Sequence, residues 1–256
     1  AELPEVTSFY VMPSAADESL SIGACLHRFY EGNKKLDHTE SILENLYLGG
    51  DFSKKQEEAA IQDKCGSEIE VKELDDVDGL VAALLANGEI VARSQGRMEW
   101  GARALGNRSI LVSGHDYRVV DELNQAIKKR DFWMPFAPSI RSESAERYFK
   151  DPKNIDPQFM THAFKTSTEG RTHLAAGTHP RDHTIRAQVV REKANPNYHR
   201  LLSMFEDKTG RGGLVNTSFN LHGEPIVHSP KDAIRVLKKS GLKHLALGHF
   251  LLSKNV

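Results

Sequence analysis

The sequence predicts an α/β domain in which helices flank a twisted, largely mixed sheet. Short apolar runs with strand patterns alternate along the chain with longer segments of helical periodicity. Hydrophobic residues make up 39% and charged residues 27% of the 256 residues, which allows a globular core and argues against disorder. Internal repeats and low-complexity tracts are missing, so a solenoid or a linker protein is not indicated.

The first half of the chain is predicted to begin with a strand and a helix. The helix, at residues 17–30, should bury Leu20, Ala24 and Leu26 on one side. A polar stretch from His38 to about Lys64 then indicates a domain boundary. The other elements predicted here are a strand at 7–12, a helix at 54–62, a strand at 68–74, a helix at 78–88 and a buried strand at 89–93.

The second half continues the alternation. One of its predicted strands contains Pro135 and Pro138. The neighbouring Trp133 and Phe136 are predicted to be core aromatic residues. A polar stretch at 150–183 is expected to be mostly irregular. The remaining predicted elements are strands at 109–113, 186–190, 213–216, 244–247 and 250–254, and helices at 117–129, 197–210 and 229–241.

Composition excludes several classes of protein. A net charge of −1 removes the usual argument for bulk binding to nucleic acid or to anionic membranes. No apolar run approaches the roughly 20 residues of a membrane helix, and the N-terminus lacks the pattern of a secretory signal. Cys25 and Cys65 fit no zinc signature. A reducing, cytoplasmic location is therefore expected.

The segment from 93 to 111 combines arginines with glycines between two predicted strands. Glycine lets the backbone approach an anion, and guanidinium groups match phosphate oxygens. A solvated loop, with arginines paired to Glu99 and Asp116, is the alternative. The basic stretch continues at 128–130, which favours a phosphate-binding loop for the cluster as a whole. Its arginines are Arg93, Arg97, Arg103 and Arg108.

Two further segments could contact a ligand. Four polar residues lie at the end of a short, predicted buried strand, where open α/β sheets commonly bind ligands. They are Asn216, Thr217, Ser218 and Asn220. These side chains could hold a phosphate or a carbamoyl group, or could form a turn that only closes the strand, and both interpretations stay open. In the segment 178–190, a hydrogen-bonded loop is favoured over a metal site, and Arg186 is the candidate for a ligand contact.

Several segments together closely resemble the C-terminal part of the carbamoyltransferase family, which includes nodulation protein U and the cephalosporin and tobramycin carbamoyltransferases. The segments are QGRMEWGARALGNRSIL, KKRDFWMPFAPS, DHTIRAQ, NPNYHRLLSMFEDKTG and NTSFNLHGEPIVHSPKDAI. This resemblance implies a YrdC-like domain at 46–256. It also implies that residues 1–45 are a remnant of the N-terminal transferase domain, which is of the actin-like ATPase class.

The resemblance implies that the C-terminal part binds ATP, with Mg, and carbamoyl phosphate, and forms carbamoyl-adenylate. A missing N-terminal domain would then pass the carbamoyl group to a hydroxyl or amine acceptor. Residues 9–26 resemble the end of that domain, where Asp17 would help to hold iron or another divalent metal in the intact enzyme. The expected histidine partners are not in this chain. A fragment competent only for the activation half-reaction is therefore expected.

By motif position, the resemblance assigns the catalytic roles to Arg103, Lys128 and Ser218. The cofactor-binding roles fall on Arg186, Asn216, Asn220 and Arg108. Many relatives have arginine where this chain has Met134, and Arg130 or Lys129 could substitute for that contact.

Two other functions are consistent with a YrdC-like domain. One is a non-catalytic nucleotide- or RNA-binding module, which the near-neutral net charge weakens. The other is a threonylcarbamoyl-adenylate synthase that uses bicarbonate and threonine.

Overall fold

The computed structural model describes residues 3–7, 10–32, 43–131, 133–151, 153–155 and 157–255. Its helices are α1 (Glu18–Gly32), α2 (Lys54–Lys64), α3 (Val77–Ala86), α4 (Val119–Leu123), α5 (Ala145–Tyr148), α6 (Thr168–His173), α7 (Pro196–Thr209) and α8 (Pro230–Lys239). Its strands are β1 (Ile69–Glu73), β2 (Val91–Ser94), β3 (Arg108–Val112), β4 (Ala137–Arg141), β5 (Phe164–Lys165), β6 (Thr184–Ile185), β7 (Gln188–Val190), β8 (Gly213–Ser218), β9 (His244–Leu247) and β10 (Phe250–Lys254).

Eight strands form one mixed sheet in the order β1-β10-β9-β2-β3-β8-β4-β7. Strands β2 and β9 pair in parallel, as do β4 and β7. The other pairs are antiparallel, including the central pair of β3 and β8, in which Ser109 lies opposite Ser218. Strands β5 and β6 form a separate small ribbon. The predicted α/β class, with a mixed sheet flanked by helices, is confirmed.

Helices cover both faces of the sheet because successive side chains of a strand point to opposite faces. On β3, Ile110 and Val112 contribute to a core that also contains apolar residues of α2, α4 and α8. The residue between them, Leu111, contributes to a second core together with residues of α3 and α7. The strands at 89–93 and 213–216 were predicted as buried, and residues 91–93 and 213–216 are buried in β2 and β8.

The boundaries of the long helices follow from their terminal residues. Helix α8 starts with a capping box, in which the Ser229 side chain and Asp232 satisfy each other's backbone N–H groups, and Pro230 occupies the first turn. The Asn195 side chain caps α7, which ends at Gly210 in the left-handed conformation. Both helices lie within a few residues of the predicted ranges, 197–210 and 229–241.

Two predictions about the core were wrong. Helix α1 has no buried residue; the side chains of Leu20 and Leu26, predicted on its buried side, are 70% and 44% exposed. Periodicity shows that a helix has an apolar side, but it does not show that anything packs on it. Phe136 is a core residue as predicted, whereas Trp133 is 54% exposed.

The predicted division near residue 45 stays a prediction. Residues 33–42, which include part of the proposed boundary, lie outside the described residues, as do residues 8 and 9 of the first predicted strand. Residues 10–12 form no strand. On the other side of the gap, Leu46 is buried with Leu105, Ala137 and Met160. The chain from about residue 43 onward therefore packs on the sheet domain. No helix formed by the described residues is long and apolar enough to span a membrane.

Stability should depend on α7 and very little on α1. We expect Phe205→Ala to lower the free energy of unfolding by about 3–5 kcal/mol, because Phe205 is fully buried between α7 and the sheet. Leu20→Ala should change it by less than about 0.5 kcal/mol. Urea denaturation followed by circular dichroism measures both, and a comparable loss in the two variants would contradict the placement of α1.

Candidate functional site

A polar cavity lies at one end of the central strands of the sheet, where β8 ends and β3 begins. Its volume is about 80 Å³, or about 420 Å³ when the open solvent at its mouth is included. Six segments that are distant in sequence meet there: the loop before β3, the chain just after α4, the start of β4, the chain before β5, the chain just before β7, and the end of β8. The lining residues are Ala102, Arg103, Ala104, Arg130, Ala137, Met160, Arg186, Asn216, Thr217 and Ser218.

Three arginines face this cavity, and the described residues that line it include no carboxylate. Burial, followed by the charges of Arg103 and Arg130, lowers the pKa of Arg186 to about 10. Partial burial and the charge of Arg103 likewise lower the pKa of Arg130. The three guanidinium groups therefore repel one another without an acidic partner in the cavity wall. An anion with several oxygens would relieve this repulsion.

The structure thus brings Arg103 and Arg186 together as predicted and adds Arg130. The family resemblance led us to expect Arg130 or Lys129 to provide the contact that Met134 cannot make. Arg130 lines the cavity, whereas Lys129 does not. Lys129 instead adopts the left-handed conformation, with φ of 49°, and so ends the helical turn and redirects the chain.

Arg186 is held in place by a residue that sequence reasoning missed. Its Nη1 atom donates a hydrogen bond of 2.9 Å to the carbonyl of Met160, whose side chain also lines the cavity. Met160 has a φ of 56°, a conformation that is strained for a residue of this kind. A methionine gives no sequence signal for the left-handed region, so this turn could not have been predicted.

Asn216 offers a buried, unused acceptor. Its Nδ2 atom donates to the carbonyl of Ala104 at 3.1 Å, to Ser139 Oγ at 2.9 Å and to Gln188 Oε1 at 3.3 Å. These acceptors fix the orientation of the amide. Its Oδ1 atom is buried and has no hydrogen-bond partner among the described residues. A buried acceptor left unpaired costs free energy, which a ligand N–H group would recover.

Lys128 lies behind the cavity wall at the end of the π-helical turn Asn124–Lys128. Its ammonium group donates to Ser218 O, to Ser218 Oγ at 3.1 Å and to Asn220 Oδ1 at 2.7 Å. Three acceptors use all three hydrogens of the group. Burial, followed by the charge of Arg130, lowers the pKa of Lys128 to about 7. Lys128 therefore shapes the turn at 218–220, and its direct catalytic contact stays a prediction.

The structure does not bring Arg108 to the cavity. This arginine is 1% exposed, and it donates to the backbone carbonyls of Gln95, Gly96 and His228 at 2.9, 3.1 and 3.2 Å. Asn220 also lies outside the lining; besides accepting from Lys128, it donates to the carbonyl of Glu224 at 2.6 Å. Both residues support neighbouring backbone, and neither presents a free group to a ligand in the cavity.

Asp17 is exposed just before α1. Among the residues that the structure describes, no group of three or more His, Cys, Asp or Glu side chains could hold a metal ion. In the loop that was favoured as a hydrogen-bonded structure, His179 Nδ1 lies 3.1 Å from Asp182 Oδ1. The metal-binding role of Asp17 stays a prediction.

Comparisons with known proteins follow the same segments. A family model described as "Carbamoyltransferase C-terminus" matches residues 82–254. The chain is 34% identical over 246 residues to nodulation protein NolO of Bradyrhizobium diazoefficiens, covering 96% of this chain and 44% of that protein. It is 31% identical over 250 residues to 3'-hydroxymethylcephem-O-carbamoyltransferase of Amycolatopsis lactamdurans, covering 97% of this chain and 44% of that protein. The chain spans less than half the length of either relative.

Solved structures show more distant similarity. Full-length HypF, in a phosphate- and nucleotide-bound form, aligns at 20% identity with a TM-score of 0.48, over 75% of this chain and 23% of that chain. YciO of E. coli aligns at 15% identity with a TM-score of 0.48, over 68% of this chain and 77% of that chain. Similarity at this level assigns no activity.

The lowered pKa of Lys128 should make stability depend on pH. Between about pH 7 and the ordinary lysine pKa, the unfolded chain binds a proton at Lys128 that the folded chain does not. The free energy of unfolding should therefore gain a contribution that rises with pH in this window, by at most about 1.4 kcal/mol per pH unit. Urea denaturation at pH 6.5 to 9.5 measures it. Lys128→Met should lose this contribution, whereas Lys129→Met, with an exposed side chain, should keep it; equal slopes in the two variants would contradict the assignment.

Proposed function

The chain belongs to the carbamoyltransferase family, and from this premise we propose that it carries the activating half of the reaction. In this proposal it binds ATP and carbamoyl phosphate and forms carbamoyl-adenylate. The observation that carries the proposal is the convergence of Arg103, Arg130 and Arg186 on one cavity whose described lining has no carboxylate. Such a site attracts a polyanion because nothing in its wall neutralises the arginines.

The overall step balances with water as the third reactant. Carbamoyl phosphate loses inorganic phosphate when its carbon–oxygen bond to phosphate is replaced by one to a water oxygen. The resulting carbamate oxygen bonds to the α-phosphorus of ATP, and pyrophosphate leaves. All leaving groups are phosphates, so the protein has to position anions and to neutralise charge that shifts between oxygens. Arginines on three separate segments suit this task better than a single nucleophile.

The end of β8 supplies the groups that would recognise the carbamoyl part. Asn216 Oδ1 is a buried acceptor without a partner among the described residues, and a carbamoyl group presents an N–H donor. The hydroxyls of Thr217 and Ser218 line the same cavity and can donate to phosphate oxygens. Ser218 in this proposal orients the substrate and forms no covalent intermediate, because no nucleophile elbow surrounds it.

Magnesium fits the proposal as a companion of ATP. The described lining residues offer hydroxyl and amide oxygens but no carboxylate, and Mg²⁺ is commonly held through substrate phosphates. The ion would enter on the phosphates and offset part of their charge. Arginines would then bind the phosphate oxygens that the ion leaves free.

The proposal places the acceptor reaction elsewhere. Residues 1–45 would belong to an N-terminal transferase domain, and residues 46–256 to the activating domain. The relatives are more than twice as long as this chain, which is consistent with a further domain in such proteins. Transfer to a hydroxyl or amine acceptor would take place there, with Asp17 contributing to a metal site. A cytoplasmic location suits enzymes that draw on ATP.

Loss of one cavity arginine should weaken ATP binding. We expect Arg103→Ala to raise the Kd for ATP by roughly 10- to 100-fold, because a charge-assisted contact with phosphate is lost. Arg118→Ala is the matched control: the residue has the same charge but is 85% exposed and pairs with Asp116 at the surface. Isothermal titration calorimetry measures both. Absence of ATP binding to the wild type, or an unchanged Kd in Arg103→Ala, would refute the proposal.

The unpaired acceptor of Asn216 predicts selection among acyl phosphates. Acetyl phosphate has a methyl group where carbamoyl phosphate has its amide, and cannot donate to Asn216 Oδ1. We expect it to bind on the order of tenfold or more weakly than carbamoyl phosphate. Pyrophosphate release from ATP in the presence of either compound, with competition titrations, measures the difference. Equal binding of the two would separate Asn216 from substrate recognition.

The same assays separate the other two functions. A threonylcarbamoyl-adenylate synthase would yield a threonine adduct from labelled threonine, bicarbonate and ATP, which a carbamoyl-phosphate enzyme would not. An RNA-binding module would bind double-stranded RNA with a steep dependence on salt and would not discriminate among small phosphates.

A further inference from the structure

The loop that carries Arg103 is held by side chains, because its own backbone forms neither helix nor strand. It runs from Glu99 to Asn107, between β2 and β3. Its peptide groups are buried around residues 104–107, so they need partners from elsewhere. The position of Arg103 therefore depends on residues that do not line the cavity.

Glu99 supplies the largest number of these contacts. The side chain is 6% exposed, and its Oε1 atom accepts the N–H groups of Leu105 at 2.7 Å, Asn107 at 2.8 Å and Arg108 at 3.2 Å. Three donors converge on one oxygen, so the loop must fold back over the carboxylate. A charged acceptor strengthens each of these bonds. Glu99 thereby closes residues 99–108 into a ring.

Other buried groups fit only this conformation of the loop. The carbonyl of Leu105 accepts from Tyr47 Oη at 2.8 Å and from Gln188 Nε2 at 2.9 Å, and the carbonyl of Gly106 accepts from Arg93 Nη1 at 2.8 Å. Gly106 has a φ of 114°, and a Cβ atom there would lie 2.2 Å from the Tyr198 ring. These contacts are made in the same loop conformation in which the N–H groups of Leu105, Asn107 and Arg108 meet Glu99.

The loop connects Glu99 to two features of the cavity. The carbonyl of Ala104 immediately precedes the N–H of Leu105 that Glu99 binds, and it accepts from Asn216 Nδ2. Arg103 is the residue before Ala104 and lines the cavity. A shift of the ring would thus move both the arginine and the partner that orients Asn216.

We propose that Glu99 is a positioning residue for the activation reaction: it holds the Arg103 loop and the Ala104 carbonyl in the arrangement that shapes the cavity, without contacting substrate. This inference rests on the proposed function. Its specific content is that the location of one acceptor oxygen matters more than the charge of the side chain.

Two conservative variants separate location from charge. Glu99→Gln keeps a carbonyl oxygen at the same distance along the side chain but loses the charge. Glu99→Asp keeps the charge but withdraws the carboxylate by about 1.5 Å, the length of a carbon–carbon bond. We expect the Kd for ATP to stay within about threefold of the wild type in Glu99→Gln and to rise on the order of tenfold or more in Glu99→Asp. Isothermal titration calorimetry on the full chain measures both.

Val236→Ala is the control for general destabilisation. Val236 is fully buried in α8, in a core cluster that includes none of residues 99–108, so its truncation should lower the melting temperature without changing the Kd for ATP. The titrations are compared at a temperature at which all variants are folded. A purely structural role of Glu99 would give Glu99→Asp the behaviour of Val236→Ala.

Amide hydrogen exchange tests the ring without any ligand. We expect exchange at Leu105 and Asn107 to be faster in Glu99→Asp than in the wild type, and close to the wild type in Glu99→Gln. If it is, but the wild type binds no ATP, the proposed function is wrong while the ring stands. Unchanged exchange in Glu99→Asp, or a loss of ATP affinity in Glu99→Gln at least as large as in Glu99→Asp, would overturn the proposal for Glu99.

Discussion

The pairing of β3 with β8 is the constraint on which the site depends. The two strands are antiparallel, with Ser109 opposite Ser218. The loop that enters β3 and the turn that leaves β8 therefore meet at the same end of the strand pair. The arginine of the loop and the polar residues of the turn are about 110 residues apart in sequence. Both strands lie in the centre of an eight-stranded sheet and are buried except at Ser218, so a shift in register by one residue would invert the faces of their side chains.

Most of the fold could be predicted because its signals are local. Apolar periodicity predicts the strands and helices, and the Ser229 capping box and the Asn195 cap mark where two of the helices begin. The apolar side of α1 was misjudged because burial depends on a partner, and Trp133 was misjudged for the same reason. A local sequence pattern shows which side of a segment is apolar. Whether another part of the protein packs against that side depends on the tertiary structure.

The site was predictable in part for a comparable reason. Arg103, Arg186, Asn216 and Ser218 stand in motif positions, and the sheet topology brings them into one cavity. Arg108 stands in the same motif, yet backbone carbonyls use its guanidinium group. Charge alone does not distinguish an arginine that binds a ligand from one that supports a loop. Met160 helps to position Arg186 through a left-handed backbone conformation, which a methionine in the sequence does not predict.

The π-helical turn Asn124–Lys128 makes the site sensitive to the length of the chain as well as to its composition. A π turn contains one residue more than an α-helix would use over the same rise. Deleting one residue there would restore an α-helical turn and change the directions of the side chains within it, Lys128 among them. The contacts of Lys128 with Ser218 and Asn220 therefore depend on the number of residues in this segment as well as on their identity.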